Sequence, residues 1–470
     1  MYTLRYLGSL RHKGRTRAEQ GPPLDTKHER QVIYLVEAAE TADRAISDPR
    51  PRTNDRTMAV TLIAAHGLEH LYAHSFPVLV TAIYGDLGLV PLQAGVLSAV
   101  RQLTAGVTSI GSGFFVDIFR HRSGQVLAFS MATIGLGYFL VSIAPSYLFI
   151  LFALFIASAG SALWHPPALG LLSERFPRRR GWYISLHRST GNIGDLIGPL
   201  VAGLLLGGFS LHWILGGGWT VDPLSWRWIM GGGTPMLIVL SIIVLILLWN
   251  VTGDRPGPVN LRNKLGTQLT SLRRAFDGTG MWSIFTVSAV RGMGDRSYIF
   301  FLPLYLREEL DKSFLSIAVH VALVAAPGII SGPILGALSD RVGRKLIIVL
   351  LMAVAIILPI TTVLGGAGLW MTLSVGIFGV FHSSVNSLTQ AAAIDEAEGQ
   401  GLDATFMGLM WGSNAFFGAG AAIGVGWLVG SYGWQAAFYC ASALFLLGTL
   451  AAMLMPSSRS RRPGRVGAVA

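Results

Sequence analysis

The sequence predicts an all-α integral membrane protein of twelve transmembrane helices in two pseudo-symmetric six-helix halves. Three observations predict it. From Met58 onward, apolar runs of about 20 residues, each long enough to cross a hydrocarbon core of ~30 Å, recur with short punctuation. A charged decapeptide, Gly336-Ala-Leu-Ser-Asp-Arg-Val-Gly-Arg-Lys345, lies between two such runs, and a degenerate copy, Gly113-Phe-Phe-Val-Asp-Ile-Phe-Arg-His-Arg122, lies 223 residues earlier. The longest internal polar stretch, Val251 to Gly280, separates six runs from six.

Composition excludes the soluble alternatives. The 470 residues are 52% hydrophobic and 13% charged, with a mean hydropathy of +0.54, against roughly 25% charged in an average soluble protein. So little charge cannot coat a soluble body of this size, whereas a bilayer lets apolar residues face lipid as well as core. The 57 glycines suit close helix packing in lipid. A net charge of +11 first suggests nucleic acid, but the basic residues lie in the tails and in short loops, which points to membrane topology and away from a nucleic-acid partner. Cys440 is the single cysteine and lies in an apolar run, so neither a disulfide framework nor a thiolate metal cluster is expected.

Taken in order, residues 1–57 carry eleven Arg or Lys, eight Asp or Glu and four prolines with no sustained apolar run. They read as a mobile cytoplasmic arm without the apolar core of a signal peptide; Met58 directly after it is an alternative start. Spans are expected near 58–84, 93–116, 124–143, 146–171, 181–207 and 226–250, then, after the 251–280 cytoplasmic linker, near 281–306, 314–338, 345–364, 368–392, 402–429 and 434–455. Each is bounded by a charged turn or by glycine- and proline-rich punctuation. This gives an N-terminal bundle over 58–250, a C-terminal bundle over 281–455 and a tail over 456–470. Lys and Arg fill the arm, the Arg120 and Arg175–Arg180 loops, the linker, the Arg341–Lys345 turn and the tail. The alternate loops hold almost none, so both termini are expected in the cytoplasm. Arg307 and Lys312 on the outer side and the acidic 393–403 loop on the inner side depart from the rule.

Further landmarks recur between the halves. Trp164-His165 corresponds to Phe381-His382 at an offset of 217, and Gly191-Asn192 to Ser413-Asn414 at an offset of 222. Offsets that differ only by loop insertions indicate a diverged internal duplication, and such halves place a site between them near the bilayer midplane.

An ionisable group at the bilayer centre costs at least ~2.5 kcal/mol, so those inside the spans should face a wet cavity or a partner. Span 1 holds His66, Glu69, His70 and His74, spaced by three and four and therefore on one helix face. A carboxylate flanked by imidazoles can hold and release a proton near neutral pH; the same residues could instead be hydrogen-bonded core groups. Span 4 places His165 before Pro166 and Pro167, and span 5 spaces Arg188, Asn192 and Asp195 as one polar stripe beside Gly194, Gly198, Pro199 and Gly203. In span 7, Arg291 and Asp295 are four apart and able to pair, which leaves Arg296 as a spare positive charge. Arg101 in span 2 adds another guanidinium. The cationic excess suits an anionic or zwitterionic ligand gripped by guanidinium forks. Glycine-rich stretches such as Gly216–Gly218 lack the strand and the Gly-Lys-Ser of a phosphate cradle. Scattered histidines lack metal-ligand spacing, so no metal or cofactor is expected, beyond opportunistic zinc at His66 and His70.

The Gly336 decapeptide resembles the loop signature of the major facilitator superfamily of transporters, and the span 5 glycines resemble the signature of its antiporter branch, with Ala202 where a glycine usually sits. His66-Gly-Leu-Glu-His-Leu-Tyr72, Gly160-Ser-Ala-Leu-Trp-His-Pro166 and Gly191-Asn-Ile-Gly-Asp-Leu-Ile-Gly-Pro-Leu200 together resemble the fosmidomycin-resistance family of exporters. Departures are Arg101, Pro167, and Ile118 and Arg120 in place of the usual Arg and Gly of the first turn. The resemblance implies a proton-coupled exporter of small organic molecules in the plasma membrane, functional as a monomer, not an enzyme. Protonation at Glu69, with His66, His70, His165 and Asp195, would exchange against substrate held by Arg188, Asn192, Arg101, Arg291, Arg296, His382 and Asn414. Asp117, Asp340, Arg341 and Arg344 would gate the cytoplasmic side, with Asp340 facing the start of span 5 near Trp182. Proton-coupled import and a non-transporting membrane sensor signalling through the arm remain as alternatives. Because the Asp117 turn has lost its accompanying Arg, Asp340→Ala should raise cytoplasmic-side cysteine labelling of the cavity more than Asp117→Ala does; equal labelling would refute this asymmetry.

Overall fold

The computed structural model describes residues 53–210, 220–251, 279–396 and 403–456, with four isolated positions at 266, 270, 273 and 276. Most of the expected arm, the bulk of the linker and the tail beyond Pro456 lie outside the described residues. Fifteen α-helices account for nearly all of the rest. The first half contains α1 (Thr53–Ala73), α2 (Phe76–Asp86), α3 (Pro91–Phe119), α4 (Ser123–Ser142), α5 (Tyr147–Arg175), α6 (Arg180–Gly207), α7 (Trp226–Gly232) and α8 (Thr234–Leu248). The second contains α9 (Thr279–Ile299), α10 (Phe301–Glu308), α11 (Phe314–Val342), α12 (Arg344–Leu364), α13 (Leu369–Glu396), α14 (Asp403–Tyr432) and α15 (Gln435–Met453). Two short strands, β1 (Phe209–Ser210) and β2 (Thr220–Val221), pair antiparallel between α6 and α7. Helix α1 begins inside the segment expected to belong to the arm.

Three expected spans are each built from two helices, and proline explains two of the breaks. A proline has no N–H for the carbonyl four residues back, and its ring crowds that carbonyl. Pro77 lies four residues beyond Ala73, the last residue of α1, and Pro303 four beyond Ile299, the last of α9. In the third, Gly233 precedes Thr234-Pro235 at the start of α8. Counting each broken pair as one rod turns the fifteen helices into twelve. Among the described residues, eight helical stretches are long and apolar enough on their own to cross a membrane. The four rods that fall short, α1–α2, α3, α9–α10 and α13, carry Glu69, Arg101, Arg291, Asp295, Arg296 and His382, polar groups that lower their hydropathy.

The twin turns close differently. Gly343 has φ +102°, a left-handed value that favours glycine, and ends α11 with its N–H on the Ser339 carbonyl. Its counterpart is Arg120, and there the chain makes a 3₁₀ turn over Arg120–Arg122 with no positive φ.

Within each half the helices pack closely, α4 against α5 and α8, and α12 against α13 and α15. Hydroxyl groups tie them: Ser130 donates to the Gly160 carbonyl at 2.7 Å, Ser241 to that of Ala128 at 2.7 Å, and Tyr298 meets Thr362 at 2.8 Å. Across the halves, α3 packs on α14 and α6 on α11. At the end remote from the basic loops this seam is tight enough to require glycine: a Cβ on Gly95 would lie 2.2 Å from the Ala422 carbonyl oxygen, and one on Gly203 would lie 2.7 Å from that of Phe314. The short helices α2 and α10 also pack together at that end. Toward the basic-loop end, a Cβ on Gly332 or Gly336 of α11 would meet nothing from other helices within 4 Å, and Trp182, Ile334 and Leu338 are exposed.

Gly95→Ala should therefore cost about 1–3 kcal/mol through overpacking, whereas Gly332→Ala should be neutral or slightly stabilising through helix propensity. Thermal unfolding of the two purified variants in detergent checks this, and equal melting temperatures would contradict the tight-seam reading.

Candidate functional site

The first half gathers its polar groups where α1, α5 and α6 meet. Helix periodicity puts His66, Glu69, His70 and His74 on one face of α1, and glycines on α6 let that face approach. Gly194 sits against the Gly67 carbonyl oxygen, where a Cβ would be 2.6 Å away, and Gly191 sits against the His66 ring. Asp195 is thereby presented to α1, and its Oδ1 accepts from His70 Nδ1 at 2.6 Å and from His74 Nδ1 at 2.7 Å. From α5, Ser161 Oγ donates to Glu69 Oε1 at 2.6 Å, and His165 Nδ1 faces the Ser161 carbonyl oxygen at 3.2 Å. The His66 ring stacks on His187 with centroids 3.8 Å apart.

Glu69 is 1% exposed and its Oε2 has no hydrogen-bond partner. That oxygen lies 3.6 Å from His70 Nε2 and 4.0 Å from His66 Nδ1. With the Nδ1 proton of His70 directed at Asp195, a neutral His70 presents its bare Nε2 lone pair to the carboxylate. Two lone pairs at that separation repel, so the edge is stable with a proton on one of the two atoms. The Asp195 carboxylate on α6 thus orients the imidazole that faces Glu69 on α1.

Two residue sets converge closely enough to raise the question of a metal. In the set His70, His74 and Asp195, the N···O separations of 2.6 and 2.7 Å are shorter than the edge of about 3.3 Å between ligands in a tetrahedral site with bonds of ~2.0 Å. These are hydrogen bonds. The imidazoles of His66, His70 and His165 also converge, with Glu69 as the carboxylate beside them.

The second half answers its charges differently. Arg291, 2% exposed, pairs with Asp295 and donates from Nη2 to Asn386 Oδ1 at 3.1 Å. His382 Nδ1 approaches the same Asp295 oxygen at 3.0 Å. The expected pairing of Arg291 with Asp295 is formed, and Arg291, also named as a ligand-holding residue, is buried with Asp295 and Asn386 as its partners. Arg296 lies over Gly418 and reaches across to Gln102 of α3, whose amide group rests on the face of the guanidinium, 2.7 Å from Nε and Nη1 and 3.2 Å from Nη2. Asn414 packs on Gly292. Arg101 stacks over the Phe76 ring at 4.3 Å and directs Nη2 at the Ala73 carbonyl oxygen, 3.4 Å away, which is the carbonyl that Pro77 deprives of its helical donor.

Arg188 and Asn192 are exposed on α6. Asp195 turns to the histidines, so Arg188 has no acid partner among the described residues. At the turn, Asp340 is 62% exposed and pairs with Arg344 at 3.1 Å, while Arg344 also binds Asp395. The expected contact of Asp340 with the start of α6 is not formed in this conformation; Arg341 is exposed. The side chain of Asp117 lies outside the described residues. Sequence reasoning did not single out His187, Ser161, Gln102 and Asn386, and it placed His74 on the polar face of span 1 without assigning it a role. His187 was visible beside Arg188, but nothing in the spacing showed that its ring would stack on a residue 121 positions away.

A bundle of this topology with paired charges buried between helices and a cationic seam between halves is a multi-pass membrane protein of the transporter class. The chain belongs to the Major Facilitator Superfamily, whose family model matches residues 65–419. It is 24% identical over 413 residues to the fosmidomycin resistance protein of Escherichia coli (strain K12), covering 85% of this chain and 94% of that one. It is 22% identical over 421 residues to the MFS-type transporter YfnC of Bacillus subtilis (strain 168), covering 88% and 96%. In fold it resembles the crystal structure of a bacterial homolog to the human lysosomal transporter Spinster, in an inward-facing and unoccupied conformation. That match has a TM-score of 0.69 at 14% identity and covers 86% of this chain and 98% of that one.

Removing one partner of a buried ion pair leaves an uncompensated charge, at a cost of about 3–5 kcal/mol. Arg291→Leu should therefore destabilise the protein by that order, and adding Asp295→Leu should recover most of the loss. A thermal-unfolding cycle of the four forms in detergent measures it; additive losses would show that the pair is not coupled.

Proposed function

We propose that this transporter couples proton entry to the efflux of a small organic compound, anionic or zwitterionic, by alternating access. It would act as a monomer in the plasma membrane with both termini in the cytoplasm. The observation that carries the proton reading is the unpartnered Glu69 Oε2 held 3.6 Å from His70 Nε2. A proton on this edge converts repulsion into a hydrogen bond and neutralises a charge on α1. Loss of that proton leaves a neutral imidazole, a weaker donor to Asp195 than the imidazolium, so the occupancy of the site biases how α1 sits against α6. Because α6 forms one of the two seams between halves, such a bias acts on the element that must move for access to alternate.

Anion preference is supported by Arg101 and Arg188, neither of which forms an ion pair among the described residues, and by Arg296, which Asp295 attracts while Arg101 and Arg291 repel it. Guanidinium forks favour carboxylate-like groups over single-point contacts. Asn192, Asn414 and His382 supply neutral polarity nearby. Export is favoured over import by the relatives: curated proteins matching this chain are named as fosmidomycin resistance and multidrug resistance proteins. Asp340, Arg344 and Asp395 would tie the cytoplasmic ends of α11, α12 and α13, with Asp117 and Arg341 as further gating groups.

Proteoliposomes with an imposed pH gradient of either sign, assayed for uptake and counterflow of candidate anions found in a resistance screen of a null strain, test the reading. Efflux should follow an inward proton gradient in the wild type. In Glu69→Gln it should become independent of the gradient while exchange persists. Undiminished gradient-driven efflux by that variant would remove Glu69 from the mechanism, and accumulation along the proton gradient would establish import.

A further inference from the structure

Two of the imidazoles around Glu69 have one ring nitrogen already committed. His70 directs Nδ1 at Asp195 Oδ1 at 2.6 Å, and His165 directs Nδ1 at the Ser161 carbonyl oxygen at 3.2 Å. With each Nδ1 carrying the proton of that hydrogen bond, each Nε2 is left with a lone pair. The His66 ring lies flat against His187, with centroids 3.8 Å apart and planes 12° from parallel, and its Nδ1 is buried with no hydrogen-bond partner. Glu69 is fixed in the same manner: Ser161 Oγ donates to Oε1, and Oε2 is buried with no hydrogen-bond partner.

These donor atoms converge. Glu69 Oε2 lies 3.6 Å from His70 Nε2 and 4.0 Å from His66 Nδ1, and His66, His70 and His165 each offer a ring nitrogen within 4.8 Å of the other two. A tetrahedral cation with bonds of ~2.0 Å spaces its ligands about 3.3 Å apart, so inward rotation of the side chains closes this set around one ion. The hydrogen bonds to Asp195 and to the Ser161 carbonyl, and the one from the Ser161 hydroxyl, are of the kind that fixes the tautomer of a ligating imidazole and aims a ligating carboxylate. Imidazole with carboxylate suits zinc and its neighbours in the first transition row, whereas magnesium and calcium take oxygen ligands. Glu69 and Asp195 together bring two negative charges, which a divalent ion balances. Arg188 is close enough to His165 and His187 to oppose a cation, but it is exposed, where water screens it. His70 and His165 are only half-buried, which leaves the ion a way in.

We propose that His66, Glu69, His70 and His165 form a binding site for one divalent transition cation of the zinc class, with Asp195 and Ser161 orienting its ligands. Spacing along the chain concealed the set, because the third imidazole comes from α5 while the other ligands lie on one face of α1. Filled, the site ties α1 to α5 and, through His70 and Asp195, to α6, so that the three helices around the polar core of this half are held as a unit. The buried carboxylate of the second half, Asp295, already has Arg291 as its cation, which confines the site to the first half. The proposal goes beyond the transport reading, and its test reads metal binding alone, so its failure leaves that reading standing.

The test uses the full-length protein, purified in detergent on a tag without histidine and titrated with Co²⁺ as the spectroscopic probe. The wild type should develop the intense visible absorption of tetrahedral cobalt, saturating at one equivalent, and Zn²⁺ should bleach it while Mg²⁺ does not. Asp195→Asn, which removes the charge that orients His70, should weaken cobalt binding by about 10–100-fold. His66→Gln, His165→Gln and Glu69→Gln should each weaken it by at least as much, and His320→Gln and His382→Gln should leave it unchanged. Absence of the band, or a band that survives His165→Gln or Glu69→Gln undiminished, would overturn the site. Should a ligand variant fail to fold, the wild type still decides: Zn²⁺ should protect His70 and His165 from carbethoxylation, mapped by mass spectrometry, and leave His382 reactive. Equal modification of His70 and His165 with and without Zn²⁺ would overturn the proposal as well.

Discussion

Charge taken out of water has to be answered inside the bundle, and the way each buried charge is answered organises this protein. Glu69, Asp195, Arg291 and Asp295 each have a partner on a neighbouring helix, Ser161, His70, Asn386 and His382 in turn, and those partners decide which helices must touch. The glycines follow from this requirement. Gly191 and Gly194 let α6 approach the histidine face of α1, and Gly292 and Gly418 let α14 approach α9. Larger residues at these places would separate the helices and leave carboxylates without partners, which costs more than the packing itself is worth.

The same constraint is met by two chemistries in the two halves. Around Glu69 the neighbours are imidazoles, which change charge within the physiological range. Around Asp295 one neighbour is a guanidinium, which does not. The first half thus surrounds its carboxylate with imidazoles and a serine hydroxyl, whereas the second adds a permanent guanidinium to the imidazole of His382. Duplicated halves that have diverged in this manner can divide the work of a coupled transporter, with a mobile charge on one side of the cavity and a permanent one on the other.

Much of the fold was legible in the chain. Twelve rods follow from run length, the twin turns and the polar linker, because a hydrocarbon solvent leaves helices few alternatives. Pairings within one helix were legible too: Arg291 and Asp295 are four apart, and periodicity alone brings them together. The breaks at Ala73 and Ile299 were missed as breaks although Pro77 and Pro303 were visible, since prolines such as Pro166, Pro199 and Pro327 lie inside helices that continue. Whether a proline ends a helix depends on what takes up the freed carbonyl, and at Ala73 that includes Arg101 from another rod.

Composition, periodicity and repetition by themselves determined a duplicated membrane bundle, its polar faces and the family resemblance, since these depend on local rules and on the solvent. Only the tertiary structure decided the partners. Asp195 could have paired with Arg188 on its own helix but turns to His70 and His74, and Arg296 was legible as a spare charge but not as a group that reaches Gln102. Sequence spacing fixes the direction of a side chain around one helix axis. Which helix stands opposite, and how closely, is set by packing across residues more than a hundred positions apart.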